Sequence, residues 1–252
     1  MNTRKKIIVI GASSAIAHEC SRLWAQDGPC DFLLVTRTVN RSESFAADLR
    51  TRHANITAKA MALCFSDVDA ILALVKTATA DGPVDTVLIA HGALPVQTEC
   101  QKDLHAAEDA LQTNGLSTVL IAEAFVSAMQ RLDHGHLCII GSVAGDRGRK
   151  SNYIYGAAKG LVERYAQGLQ HRLALAGSSV RVTLAKPGPT DTPMTAHLKQ
   201  GGAKLASAET VARCIVKGIK AGSPVVYAPR KWQLIMAVIQ HLPRFIFNRI
   251  DI

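Results

Sequence analysis

Short apolar runs recur along the 252-residue chain, and most end in a glycine or a small polar residue before a stretch with helical spacing begins. The first run, residues 5–10 (KKIIVI), holds four consecutive β-branched residues and stops at Gly11. It predicts a buried strand, and a helix follows over 14–26. Further strands are predicted over 32–35, 60–65, 84–90, 137–141, 180–185 and 223–229. Further helices are predicted over 42–52, from the Asp67 cap to about Ala80, over 103–129, through Tyr155 to about Leu175, and over 207–221. Asn114-Gly115 interrupts the longest of them; both are poor helix formers, so either a kink around a bound water or a plain break is expected there. Strands of Val, Ile and Leu alternating with helices predict an α/β fold: a doubly wound, mainly parallel sheet with helices on both faces. No linker, low-complexity run or repeat divides the chain, so residues 1–252 are expected to form one domain.

Composition narrows the class. The chain is 48% hydrophobic and 19% charged, as in globular enzymes, and its six cysteines include no C-x-x-C pair. Reduced structural cysteines in a cytoplasmic protein are therefore expected, with no metal site. Basic residues before the first apolar run mimic a signal peptide, but the run ends after only four apolar residues and fits a strand better. The formal net charge of +9 is compatible with an anionic substrate, anionic lipid or nucleic acid. Aromatics do not alternate with Lys and Arg, so nucleic-acid binding is not expected.

Candidate chemistry gathers at the predicted C-terminal ends of the strands, where such sheets bind ligands. Tyr155 and Lys159 lie one helical turn apart, so an ammonium beside a phenol can favour the phenolate and make Tyr155 an acid or base. Ser142 closes the strand upstream and is placed to hold a substrate oxygen. Gly11 gives a tight strand-to-helix turn, and Ser13, Ser14, Ala15 and Ile16 open the helix whose amides could receive a pyrophosphate. After the second strand stands Arg37, where a carboxylate would hold a ribose diol; a guanidinium there suits a 2′-phosphate, and Arg41 adds to its field. Asp67, with Val68 after it, could accept from an adenine amino group and could cap the next helix, two roles that need not compete. His91 and Gly92 end the fourth strand; Gly92 lets the backbone approach a cofactor, and His91 reads as a packing residue rather than a catalytic one. Pro187, Gly188, Thr190 and Thr192 follow the sixth strand.

Taken together these residues resemble the short-chain dehydrogenase/reductase family over about residues 5–230. Gly11-x-x-x-Ala15-x-Ala17 is similar to its glycine motif, with two glycines replaced by alanine. Asp67 matches its adenine-side aspartate, and residues 90–93 (AHGA) stand in place of its Asn-Asn-Ala-Gly motif, with His91 as a departure. Asn114, Ser142, Tyr155 and Lys159 match its catalytic tetrad, and Pro187, Gly188 and Thr192 its nicotinamide-side loop. The resemblance implies a Rossmann-type fold, with NADP(H) favoured over NAD(H) because of Arg37. It also implies carbonyl reduction with Tyr155 as proton donor, Lys159 lowering its pKa and Asn114 completing a proton relay. A homodimer or homotetramer packed through the Tyr155 and Asn114 helices is implied as well.

The remainder bears on the substrate. Residues 193–208 are expected to form a lid, with Met194, His197 and Leu198 touching substrate. Residues 230–252 combine apolar positions with Arg230, Lys231, Arg244 and Arg249, a segment that either lies on a membrane, giving a peripheral location at its inner face, or packs on the core or a second subunit. That tail, with residues 192–199 and 153–159, resembles the branch of the family that reduces the 2-keto sugar of the decaprenylphosphoryl-ribose 2′-epimerase system. A polyprenyl-phosphate 2-keto sugar is therefore one expected substrate. A generic soluble ketone or 3-oxoacyl substrate is the alternative, and a catalytically silent cofactor-binding scaffold is the reading from another class.

Overall fold

A computed structural model describes residues 4–250. In chain order the elements are β1 (Lys5–Ile10), α1 (Ala15–Asp27), β2 (Cys30–Thr36), α2 (Val39–Arg52), β3 (Ile56–Ala62), α3 (Val68–Thr79) and β4 (Thr86–Ile89). There follow α4 (Gln97–Lys102), α5 (Leu104–Leu111), a π-helical turn (Gln112–Leu116), α6 (Ser117–Leu132), β5 (His136–Ile140), α7 (Tyr153–Leu175) and β6 (Arg181–Pro187). The chain ends with β7 (Thr190–Asp191), α8 (Ala196–Gln200), β8 (Ala206–Ser207), α9 (Ala208–Lys220), β9 (Val225–Ala228), α10 (Lys231–His241) and α11 (Arg244–Phe247).

One seven-stranded sheet in the order β3-β2-β1-β4-β5-β6-β9 organises the molecule, and each of its neighbouring pairs is parallel. Alternation along β1 shows how it is covered. Ile8 and Ile10 face a core built with Leu74, Phe125 and Val162 from α3, α6 and α7. Ile7 and Val9 face the opposite core, with Trp24, Phe45 and Ile215 from α1, α2 and α9. Both faces are thus dry, which is why the strands read as continuous apolar runs. The strand order reverses between β1 and β4, and that switch point opens a crevice at the C-terminal edge.

The predicted third strand is displaced. It runs Ile56–Ala62 rather than over 60–65, as an edge strand whose Ile56 and Ala58 are buried while Thr57 and Lys59 face solvent. The half-buried alternation of an edge strand is weaker than the contiguous run AMALCF that suggested the later boundary. Asn114-Gly115 sits in the π-helical turn, so the helix is re-aimed rather than ended. The helix α4 has no counterpart among the sequence predictions.

The tail folds back on the domain. Trp232 and Met236, spaced one turn apart on α10, point inward; Met236 is fully buried, and Trp232 lies against Gly188, leaving no room there for a Cβ. The other side of the tail stays apolar and exposed, with Leu234 76%, Val238 63% and Phe245 66% accessible. No helix among the described residues is long and apolar enough to cross a membrane.

Candidate active site

A cleft of about 630 Å³ follows the C-terminal edge of the sheet, within the size range of cofactor and substrate pockets. Its walls collect Gly11, Ser13, Ser14, Ala15, Ile16, Arg37, His91, Gly92, Ser142, Tyr155, Lys159, Pro187, Gly188, Thr190 and Thr192 from distant parts of the sequence. Met194 and Leu198 line it as expected, whereas His197 does not. Three predicted site residues stand outside its lining: Asn114, Asp67 and Val68. Asp67 caps α3, accepting from the Ala70 amide at 3.0 Å, and Val68 is 51% exposed. The wall near them is supplied by Phe65.

At one end, Gly11 takes a φ of +78°, a conformation that favours glycine, and packs against the backbone of His91 so closely that a side chain would collide. The turn leads into α1, whose N-cap Ser14 makes no side-chain cap bond, so the first-turn amides face the cleft uncapped. Ala15, the first residue of α1, presents its methyl group to the cleft, whereas Ala17 is fully buried, where a methyl group costs no approach to the cleft. Arg37 and Arg41 border the same end, exposed and without a protein partner among the described residues. At Gly92 an added Cβ would come within 2.9 Å of Asn114 Oδ1. These features fit a dinucleotide: bare backbone at two glycines, free amides at a helix start, and unspent guanidinium groups beyond them.

His91 is buried, and its Nε2 shares a hydrogen bond with Ser117 Oγ at 2.9 Å while its ring leans on Phe65 at 4.5 Å. Burial, with Lys159 and Arg37 nearby, depresses its pKa to about 3, so the ring is neutral at physiological pH. Packing is therefore its main visible role, although Nδ1 has no partner among the described residues.

The other end holds the candidate proton-transfer group. The β5 strand delivers Ser142, whose Oγ accepts from the Ala144 amide at 3.1 Å. The loop after it lies directly on α7: a Cβ at Gly145 would press on the Lys159 carbonyl at 2.9 Å, and one at Gly156 on the Ala144 carbonyl at 2.9 Å. That close approach brings Ser142 and Tyr155 to the same wall of the cleft, close enough for the Ser142 hydroxyl to favour the ionised tyrosine. Burial raises the pKa of Tyr155, and the Ser142 hydroxyl offsets only part of this.

Lys159 makes no direct bond to Tyr155: its Nζ lies 5.8 Å from the centre of the tyrosine ring and donates to the Ile140 carbonyl at 3.0 Å. Burial lowers the pKa of Lys159 itself to about 8. Asn114 is fully buried, and its side chain is engaged at both ends, with Oδ1 accepting from the Ala93 amide at 2.9 Å and Nδ2 donating to the Ala110 carbonyl at 2.9 Å. It braces the π-helical turn against the Gly92-Ala93 loop.

Among the lining residues that the sequence did not single out, with Phe65, Leu94 and Thr113, are Arg149 and Asn152. The only signal for Arg149 was the charge run in residues 146–150 (DRGRK), which looks like any solvated loop.

The short chain dehydrogenase family model matches residues 5–202. An uncharacterised oxidoreductase of Streptomyces coelicolor is 30% identical over 247 residues, covering 98% of this chain and 96% of that protein. An uncharacterised oxidoreductase of Mycobacterium tuberculosis is 29% identical over 244 residues, covering 96% of each. Among solved structures, a short-chain dehydrogenase from Sphingobium yanoikuyae in complex with NADPH superposes with a TM-score of 0.80 at 20% identity, covering 95% of this chain and 97% of that one. One from Burkholderia cenocepacia in complex with NADP gives 0.80 at 17% identity, covering 97% and 96%. The sheet order, the cleft at its switch point and the family match over most of the chain agree: the protein belongs to the short-chain dehydrogenase family of oxidoreductases.

Proposed function

We propose that the protein is a cytoplasmic NADPH-dependent reductase that converts the carbonyl of a small, soluble substrate into a secondary alcohol. The observation that carries this reading is the convergence of Ser142, Tyr155 and Lys159 on one wall of a cleft whose far end holds Arg37. Relatives of the same fold are solved with NADPH and with NADP. A bound nicotinamide supplies the hydride. Ser142 holds the carbonyl oxygen, and Tyr155, kept protonated by its burial, gives that oxygen a proton. Lys159 holds positive charge near the developing tyrosinate and lies close to Gly92, where it could also hold the nicotinamide ribose of a bound cofactor. Asn114 acts as a brace, and any relay through it would use its backbone carbonyl. Gly11, Ser13, Ser14, Ala15 and Ile16 cradle the pyrophosphate, Arg37 the 2′-phosphate, and Pro187, Gly188, Thr190 and Thr192 the nicotinamide side. Residues 193–208 cover the substrate side as a lid, through Met194 and Leu198.

The test is NADPH oxidation against a panel of soluble ketones with wild type and Tyr155→Phe. Turnover of the variant should fall roughly 10²–10⁴-fold, with NADPH affinity nearly unchanged. Turnover surviving in Tyr155→Phe would remove the acid assignment, and a protein that binds NADPH but reduces nothing would favour the silent scaffold.

The exposed apolar side of the tail favours a second reading, a polyprenyl-phosphate 2-keto sugar met at a membrane surface. Leu234, Val238 and Phe245 would enter the headgroup region, with Arg244 and Arg249 beside anionic lipid. Binding to anionic liposomes and turnover of the lipid-linked sugar, both lost in Leu234→Ser/Val238→Ser/Phe245→Ser, would support it. We also propose a homodimer or homotetramer, because Leu116 (46% accessible) and Leu161 (50%) expose apolar surface where the π-helical turn meets α7.

A further inference from the structure

The loop between Ser142 and α7 distributes its charged groups unevenly. Asp146 is fully buried, ion-paired with Lys186 and hydrogen-bonded by the Tyr227 hydroxyl at 3.1 Å. Arg147 turns the other way. It donates to the carbonyls of Ile239 (2.5 Å) and Leu242 (2.6 Å) at the end of α10 and stacks on Phe247 at 3.8 Å. Both groups are spent on structure.

Arg149 is not. Its side chain lines the cleft, its Nε is buried without a hydrogen-bond partner, and no carboxylate pairs with it among the described residues. Burial pulls its pKa below the usual arginine range, with no counter-charge to oppose the shift. Three residues on, Asn152 stands at the N-cap of α7 but makes no side-chain cap bond, and its Oδ1 is likewise buried and unused beside the cleft. Shutting one guanidinium nitrogen off from water without a partner is unfavourable, and an anion in the cleft would relieve it at Arg149.

That anion is not the phosphate proposed for Arg37. The loop carrying Arg149 follows β5, and Arg37 follows β2. In the order β2-β1-β4-β5 these edges are three strand spacings apart, about 14 Å at about 4.8 Å each. Ser142 and Tyr155 belong to Arg149's end of the cleft, as do the substrate-side Met194 and Leu198.

We propose that Arg149 is the specificity anchor for an acidic group, carboxylate or phosphate, carried by the carbonyl substrate, with Asn152 accepting from a neighbouring hydroxyl. The inference rests on the carbonyl-reductase reading of the same cleft. It makes the substrate an anionic ketone and gives part of the chain's positive charge a local purpose.

Matched pairs test it: 3-oxobutanoate and 4-oxopentanoate against their methyl esters for the carboxylate arm, and dihydroxyacetone phosphate against dihydroxyacetone for the phosphate arm. With saturating NADPH, kcat/KM should favour the acid of at least one pair by about tenfold or more. In Arg149→Ala that acid-to-neutral ratio should collapse toward one, mainly through KM, and Arg149→Lys should recover part of it. A wild-type ratio near one in every pair, or a ratio unchanged in Arg149→Ala, would overturn the anchor while leaving the reductase reading intact. Calorimetric titration of the same acids into the NADP⁺-loaded protein reads the site without turnover. Arg149-dependent binding with no reduction of any ketone would keep the anion site and remove the reductase; absence of such binding would remove the site.

Discussion

Lys159 lies one turn after Tyr155 on α7, yet its ammonium donates to the Ile140 carbonyl and remains 5.8 Å from the tyrosine ring centre. The pair is thus not pre-ionised. Tyr155 is held protonated, as suits a proton donor, while Lys159 sits where its own charge is costly.

A pH profile follows. With its pKa pulled to about 8, Lys159 loses its charge above that value in the free protein. We expect kcat/KM for reduction to fall about tenfold per pH unit on the alkaline side of about pH 8. Lys159→Arg, which stays charged, should move that limb upward even if its plateau is lower. A wild-type profile flat to about pH 9.5 would separate the Lys159 charge from the reaction.

Cofactor choice should rest on Arg37. Its guanidinium borders the cleft with no protein partner to give up, so a 2′-phosphate gains its full charge-assisted bond. Arg37→Ala should weaken NADPH binding roughly 10- to 100-fold and change NADH binding little, read by fluorescence titration. Equal wild-type affinities for the two cofactors would sink this assignment.

Acid should destabilise the fold through His91. Its folded value of about 3 lies below the ordinary 6.5, so between these values the unfolded chain binds a proton that the folded chain refuses. The stability is fully present above about pH 6.5 and is lost as pH falls toward 3. His136, lowered to about 4 by burial, acts in the same direction. His91→Asn removes one of the two groups. Relative to pH 7, wild type should lose about 2 kcal/mol more than this variant by about pH 5, in urea titrations. Parallel losses in the two proteins would show that His91 titrates normally.

The contact between Gly188 and Trp232 joins the tail to the proposed nicotinamide side. A methyl at residue 188 must displace the indole, so Gly188→Ala should cost about 1–3 kcal/mol of stability and weaken NADPH binding. Gly188→Ala/Trp232→Leu should be less destabilised than the sum of its single changes, by about 0.5 kcal/mol or more. Simple additivity would mean that the loop and α10 are independent.

Much of the architecture was legible along the chain because its signals are local. A β-branched run ending at a glycine, as at Ile7–Gly11, or a long run of helix-compatible residues, as over Tyr153–Leu175, reports its own backbone state. The cleft residues were legible for a related reason: parallel strands deliver their C-terminal ends to one edge whatever lies between them, so Gly11, Arg37, Gly92, Ser142 and Gly188 had to converge. The sequence alone could not place β3, because an edge strand buries one face and its alternation competes with a stronger apolar run nearby. Nor could it decide charge states or partners. Whether Lys159 acts on Tyr155 or on the Ile140 carbonyl, and whether Asp67 caps a helix or lines the cleft, depends on distances of a few ångströms set by packing. The same holds for Arg147 and Arg149, separated by one residue in the same charged loop. Only the folded chain carries one to the carbonyls of α10 and leaves the other unpaired in the cleft, because desolvation and hydrogen bonding are properties of three-dimensional neighbours rather than of sequence.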